Sequence, residues 1–328
     1  MCSSDLSPAS APLYLDACAT SPLAPEAWRA MEAAWRDGWG NPSSLHGLGV
    51  AAAAVMERAR LDVATDLGAA PEEVIWCSGG TEAIQTALLG GAATLAPGRL
   101  VISAVEHPAT EVAAAVLAGR GWTVARLPVD RRGVVRLEDL EPLLDPPTRL
   151  VSLIWGQSEV GGLQPVERLG TLCRERGIRF HVDAVQVLGH RPIDWGRLPV
   201  DWLSGAAHKL QGPRGIGLLL ARRGCPLEPL IGGVQEAGRR GGTEPVPLIA
   251  GFAAALRLCT RRLAEHGGVD PLAALRDDLW AALRDQPGVE LLGPEPGAER
   301  LPHHLSLLVR DPQGRPLPGR ALVRALAR

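Results

Sequence analysis

The stretch Ala207-His208-Lys209-Leu210-Gln211-Gly212-Pro213-Arg214-Gly215 holds the only lysine among 328 residues. Two apolar runs flank it, 200–206 and 216–221, and both read as buried strands. The lysine therefore sits on a tight Gly/Pro turn held against a sheet. Of the 34 Lys and Arg side chains the other 33 are arginine, and Asn41 is the only asparagine. A bias that replaces lysine by arginine wherever charge alone is needed leaves lysine only where guanidinium cannot serve. An ε-amine can lose its proton when desolvated and attack a carbonyl, whereas guanidinium stays charged. The plain alternative is a surface lysine left by chance, and the rest of the chain decides between the two.

Outward from this turn, strand-like and helix-like segments alternate. Residues 74–77, 100–104, 123–127, 150–155 and 178–182 are continuous apolar runs, as expected of strands covered on both faces. Helical spacing marks 25–35, 51–67, a run from Ala83, 109–117, 137–144 and 165–176. This repetition predicts an α/β, three-layer fold with a mainly parallel sheet. Long amphipathic helices are expected at 247–266 and 271–284, and the segment 301–309 with a final helix from Arg320 is expected to begin a second domain. The expected division is a tail over 1–12, a large domain over 13–262, and the start of a smaller α/β domain over 263–328. Met1-Cys2-Ser3-Ser4-Asp5-Leu6 resembles translated adapter sequence, and the chain stops inside a helical pattern with no cap or breaker, so a C-terminally truncated fragment is expected.

Bulk composition narrows the class. The chain is 46% hydrophobic and 21% charged with a net charge of −2, ordinary for a globular enzyme and without the basic stripe of a nucleic-acid binder. No apolar run approaches the roughly 20 residues that span a bilayer, and no basic-then-apolar leader is visible. Six cysteines, at 2, 18, 77, 173, 225 and 259, lack metal-ligand spacing. Reduced thiols and a cytoplasmic location are the expectation, with no metal site, no nucleic acid and no membrane among the partners.

Four segments fall at strand ends, where open α/β sheets bind ligands. Ser78-Gly79-Gly80-Thr81-Glu82 can close main-chain N–H groups and a hydroxyl on a phosphate, though Gly-Gly turns before helices are common. In Glu106-His107-Pro108 the histidine reads as a helix start or as a catalyst. In His181-Val182-Asp183-Ala184-Val185-Gln186 an acid ends a very apolar strand, costly unless paired with a cation. A protonated pyridine nitrogen would be such a partner; a cap on the next segment is the equal alternative. The fourth is the Lys209 turn itself.

Taken together and in order, these segments resemble the cysteine desulfurases of the class V aminotransferase family, which use pyridoxal phosphate (PLP). The resemblance spans residue 13 to about 328 and also rests on Leu15-Asp16-Ala17-Cys18-Ala19-Thr20, Gly40-Asn41-Pro42-Ser43-Ser44, Ser158-Glu159-Val160-Gly161 and Arg240-Gly241-Gly242-Thr243. It implies a fold type I PLP-dependent transferase that converts L-cysteine to L-alanine and leaves a persulfide for iron–sulfur cluster or thio-cofactor synthesis. Lys209 would hold PLP and shuttle the α-proton, Asp183 would pair with the ring nitrogen, and Gln186 and Ser158 would contact the ring hydroxyl. His107 would stack on the ring and act in proton transfer. Gly80, Thr81 and His208 would bind phosphate, and Asn41 would lie near the substrate carboxylate. Thr243 would reach the phosphate of a neighbouring subunit, implying a homodimer; a sulfur-acceptor or scaffold protein would be the further partner. Selenocysteine lyase, another class V aminotransferase, or a non-catalytic scaffold are the other readings.

Three departures bear on activity. Gln157-Ser158 stands where many relatives carry two asparagines, and Ala206 where relatives often carry a phosphate-binding serine, unless Ser204 or main-chain groups compensate. The nucleophilic cysteine of the family lies on a later loop, so impaired desulfuration is expected. Cys18 and Cys77 come nearest in motif terms, but buried small hydrophobes are the preferred reading for both.

Overall fold

The computed structural model describes residues 13–326; the tail over 1–12 and Cys2 lie outside them. Helix α1 (Pro25–Asp37) opens on a proline at its first turn, and α2 (Gly47–Leu67) closes on Gly68 in the left-handed region, φ 66°, whose N–H returns to Ala64 and Thr65. Strand β1 (Val74–Cys77) leads into α3 (Gly80–Gln85), which continues through a π-helical turn, Thr86–Gly90, into α4 (Gly91–Ala93). Then come β2 (Arg99–Ser103), α5 (Pro108–Gly119), β3 (Thr123–Leu127), β4 (Thr148–Ile154), α6 (Val166–Glu175), β5 (Arg179–Asp183), β6 (Trp202–Ala206) and β7 (Gly217–Ala221). After them follow α7 (Val246–Glu265), α8 (Leu272–Leu283), β8 (Val289–Leu292), β9 (Ser306–Val309) and α9 (Gly319–Leu326).

Seven strands form one sheet in the order β1-β7-β6-β5-β4-β2-β3, parallel except for β7, and β8 pairs β9 antiparallel in a separate ribbon. The pleat sends alternate residues to opposite faces. Val74 and Trp76 of β1 join a core with α1, α2, α6 and α7, while Ile75 and Cys77 join a second core with α3, α4 and α5. Burying both faces explains the unbroken apolar runs, and the fold is the α/β, mainly parallel one the sequence predicts. Because the parallel strands end on one edge, the loops after β1, β2, β4, β5 and β6 converge there.

One expectation needs correction and one element was not foreseen. Residues 137–144 form two single 3₁₀ turns, Leu137–Asp139 and Glu141–Leu143, rather than a helix. Pro142 lacks an N–H and its ring crowds the preceding turn, so an α-helix cannot run through it. Of 301–309 only Ser306–Val309 is a strand, and its partner Val289–Leu292 was not foreseen.

A buried ion pair ties α2 and the loop after β7 to β1. Arg60 of α2 binds both carboxylate oxygens of Glu236, at 3.0 and 2.7 Å, and Glu236 also accepts the Trp76 N–H at 3.0 Å. Both side chains are almost inaccessible to solvent. Glu236 and Ala237 hold φ values of 49° and 56°, a left-handed pair that turns the following arginine-rich loop back toward α3. There Arg240 meets Glu82 at 3.0 Å, whose other oxygen accepts the Ser78 N–H.

Candidate functional site

The convergent loops enclose a cavity of about 490 Å³, bounded by Gly80, Thr81, His107, Ser158, Asp183, Gln186, His208 and Lys209, with Asp16, Cys18, Ala19 and Ala206 completing the wall. Eight of the ten site residues expected from sequence therefore meet at one place. The exceptions are Asn41 and Thr243, both exposed and outside this wall. Asn41 Oδ1 accepts the Ser43 N–H at 2.9 Å while its carbonyl accepts Ser44, the signature of an Asx turn, so here its side chain serves the loop entering α2.

Lys209 ends a 3₁₀ turn, Ala207–Lys209, that follows β6. Its amine donates to the carbonyls of Cys18 and Ala19, at 2.5 and 2.9 Å. Burial lowers its pKa from the ordinary value, against the opposing pull of Cys18, Asp183 and Asp16. The direction is the one that makes a lysine nucleophilic. The turn is laced to the segment before α1: Ser21 Oγ donates to the His208 carbonyl at 2.9 Å and accepts the Gln211 N–H at 2.7 Å. Gln211 is held at φ 66°, strain at the residue where the chain must reverse.

Asp183, the last residue of β5, is buried, and burial pushes its carboxyl up to about 6 despite the Val185 N–H that it accepts at 3.0 Å and the Lys209 charge. It makes no ion pair among the described residues. One oxygen caps the turn, as one of the two sequence readings expects, and the charge lacks a partner, which keeps the other reading open. His181, two residues earlier, lies between the Ser152 and Ser204 hydroxyls at 2.8 and 2.9 Å, and burial lowers its pKa to about 3. It is a neutral core histidine. Ser204 is thereby spent inside the sheet and does not make up for Ala206 at the cavity.

His107 is both a helix start and a wall of the cavity. Its Nδ1 accepts the Ala109 N–H at 3.0 Å, capping α5, which leaves the proton on Nε2. Burial and the Lys209 charge lower its pKa and keep the ring neutral. Beneath it, Glu106 takes the Ser103 hydroxyl and the Ile154 N–H, and burial pushes its carboxyl up to about 8. His208 Nδ1 lies 3.2 Å from the Thr20 hydroxyl. Gln186 donates from Nε2 to the Cys18 carbonyl at 2.9 Å. Gln157 turns away, accepting Glu159 and Val160 N–H groups within its own loop, so Ser158 alone of that pair reaches the cavity.

Sequence reasoning missed the contribution of residues 16–19. Cys18, expected as a buried hydrophobe, instead lines the cavity and offers its carbonyl to both Lys209 and Gln186. A main-chain acceptor has no residue-type signature, so only the Leu15–Thr20 motif could have flagged it. The Cys18 thiol is itself pushed up to about 11 by burial, and Cys77 is fully buried as expected.

These atoms suit pyridoxal phosphate. A desolvated amine faces a buried carboxylate that lacks a cation, and small residues keep the far end open: a Cβ on Gly80 would stand 2.7 Å from Val185 Cγ2. Gly217 of β7 packs so closely on Gly79 that a Cβ there would come within 2.7 Å of the Gly79 Cα, fixing the turn before α3. The missing hydroxyl at Ala206 removes one donor from that end without closing it.

Comparison with known proteins agrees. The class V aminotransferase family pattern matches residues 13–314. The chain is 37% identical over 298 residues to cysteine desulfurase IscS of Dictyoglomus turgidum, covering 90% of this chain and 75% of that one. It is 42% identical over 302 residues to cysteine desulfurase of Cereibacter sphaeroides, covering 89% and 75%. Among solved structures, a NifS-like protein superposes with a TM-score of 0.90 at 36% identity, over 97% of this chain and 86% of that one. SspA, solved in complex with cysteine, gives 0.82 at 28% identity over 96% and 87%. A lysine-centred cavity of this composition, on this sheet and among these relatives, places the chain in the class V aminotransferase family, with the pyridoxal phosphate-dependent cysteine desulfurases.

Proposed function

We propose that the chain works as a cysteine desulfurase, taking L-cysteine to L-alanine and passing the sulfur to a thiol as a persulfide; with the Cys18 thiol in the cavity held protonated by burial, the receiving thiol is an added acceptor and turnover is impaired. The observation that carries this reading is the half-buried Lys209 amine, its pKa lowered, in a cavity shared with the buried, unpaired Asp183. Bound pyridoxal phosphate supplies a carbonyl for the lysine and an electron-poor ring that accepts the electrons left when an α-proton is removed. Lys209 would hold the cofactor and carry that proton. Asp183, charged once a cationic nitrogen faces it, would keep the ring electron-poor. His107, neutral and tethered through Nδ1, would present its Nε2–H and ring face. Gln186 and Ser158 would offer donors to the ring oxygen; Gly80, Thr81 and His208 would hold the phosphate.

The substrate assignment draws on the relatives' activity and on SspA binding cysteine. Thr243 and Asn41, exposed here, would reach a second copy and the substrate carboxylate in a homodimer. A sulfur-acceptor or scaffold protein is the further partner, and a cytoplasmic location goes with the free thiols. No described helix is long and apolar enough to cross a membrane.

The test is direct. The purified chain is mixed with pyridoxal phosphate and reduced with borohydride, and the modified peptide is mapped; alanine release from cysteine is then followed with an added thiol acceptor. Pyridoxyl on Lys209 together with alanine supports the reading. A folded sample with unmodified Lys209 sinks it, and modification with turnover of other amino acids only would move the chain to another class V reaction.

A further inference from the structure

Behind the cavity, two histidines from distant parts of the chain stack on one another. The rings of His190 and His303 have centroids 3.7 Å apart and planes inclined by 25°. His190 follows the turn after β5, and His303 belongs to the segment between β8 and β9. Each reaches one group at the cavity. His190 Nε2 lies 3.3 Å from the main-chain carbonyl of Lys209, and His303 Nε2 lies 3.4 Å from Gln186 Oε1. On its other side His190 Nδ1 meets Asp270 at 2.8 Å. Arg262 of α7 binds the same Asp270 oxygen at 3.2 Å, and the second oxygen accepts the Leu272 N–H at 3.0 Å.

The partners dictate where the protons sit. Both nitrogens of His190 face atoms that only accept, a carboxylate and a carbonyl, so its ring can act there only as a donor. His303 is different: burial above all, with the neighbouring imidazoles and the Arg262 and Lys209 charges adding to it, holds its pKa well below the ordinary value. Its Nδ1 has no partner, so its one proton belongs on Nε2, facing Gln186. With Oε1 engaged by His303, Gln186 must turn its NH₂ toward the Cys18 carbonyl and the cavity. The His303 contact thus works with the Cys18 carbonyl, which can only accept, to hold the Gln186 amide in one orientation toward the cavity.

We propose that His190 and His303 are positioning residues: anchored by Asp270, the stacked pair fixes the Lys209 main chain and the Gln186 amide, so residues beyond α7 set the grip of the cavity on its cofactor. This rests on the reading of the cavity as a pyridoxal phosphate site and adds to it a supporting layer that reaches no reacting atom. Such supporting groups are typically worth about 10–100-fold in affinity where they orient a ligand's direct partners.

Three variants of the chain test this. His303→Phe keeps the stack and removes the donor to Gln186; His190→Phe keeps a ring and removes both hydrogen bonds; His190→Lys restores a donor. Each is titrated with pyridoxal phosphate, its apo thermal midpoint is recorded, and borohydride trapping on Lys209 is mapped. The expected result is a Kd raised about tenfold or more in both Phe variants, recovered in large part by His190→Lys, with the absorption band of the Lys209-bound cofactor displaced in His303→Phe. A Kd within about twofold of the parent in folded His303→Phe, or a His190→Lys no better than His190→Phe at equal thermal midpoint, overturns the proposal. Should His190→Phe fail to fold, His303→Phe decides alone. Loss of trapping in the parent chain would sink the cavity reading and this proposal together, whereas intact trapping with unchanged Kd sinks this proposal only.

Discussion

The Lys209 amine donates to the main-chain carbonyl of Cys18 at 2.5 Å, joining residues 191 positions apart in the chain. The contact binds the nucleophile at the price of its freedom until a better partner arrives, and it makes residues 16–21 part of the site rather than a leader to it.

If Lys209 is the cofactor lysine, Lys209→Arg abolishes borohydride-trapped pyridoxyl, because no other lysine exists to take it. Desulfuration falls by about a thousandfold or more, since guanidinium neither forms the imine nor returns the proton. Peptide mapping and alanine release check the two halves separately.

Asp183 sets a pH limit. Its folded pKa is about 6 against an ordinary 3.8, so the empty cavity favours the protonated acid. The associated stability is fully present below about 3.8 and is lost as pH rises through 6. Cofactor binding has the opposite sign, because pairing with a cationic nitrogen needs the carboxylate. Affinity should therefore weaken as pH falls below about 6, by up to about tenfold per pH unit. In Asp183→Asn that titration disappears and affinity is low throughout; absorbance titrations between pH 5 and pH 8 show which holds.

Ala206→Ser should tighten the cofactor. The side chain lines the phosphate end of the cavity and Ser204 is occupied by His181, so a hydroxyl here adds a donor that nothing now supplies. A hydrogen bond to a charged group is worth about 1.5–3 kcal/mol, which predicts a Kd at least tenfold lower. An unchanged Kd would mean that main-chain groups already saturate the phosphate.

Glu236→Ala should unfold the chain far more readily without touching the cavity. It strands the Arg60 guanidinium in the core and frees the Trp76 N–H, a loss on the order of 3–5 kcal/mol. The denaturant midpoint measures it; Glu236→Gln, which keeps part of the hydrogen bonding, should lose less.

Much of this was legible in the sequence because it depends on local chemistry. Trp76 and Ile75 reveal a strand covered on both faces simply by standing side by side, and Asp183 betrays the site by ending an apolar strand with a charge. Lys209 was marked by being irreplaceable. What escaped depends on contacts without local signature. The Cys18 carbonyl is main chain, and nothing about His190 or His303 alone says that they meet. Asn41 was read toward the substrate because it is the sole asparagine, and what the sequence left open beside that reading is that its Oδ1 also closes a turn. Residues 137–144 had helical spacing, but the spacing was overruled by Pro142.

The lacing of Lys209 to residues 18–21 also has a kinetic side. A contact between residues 18–21 and a turn some 190 positions later closes a very long loop, and such contacts form late because their entropy must be met before they return anything. The histidine stack reaches further still, to residue 303. During synthesis the cofactor therefore has no finished pocket to enter until most of the chain has emerged, so it should seal an assembled enzyme rather than template its assembly.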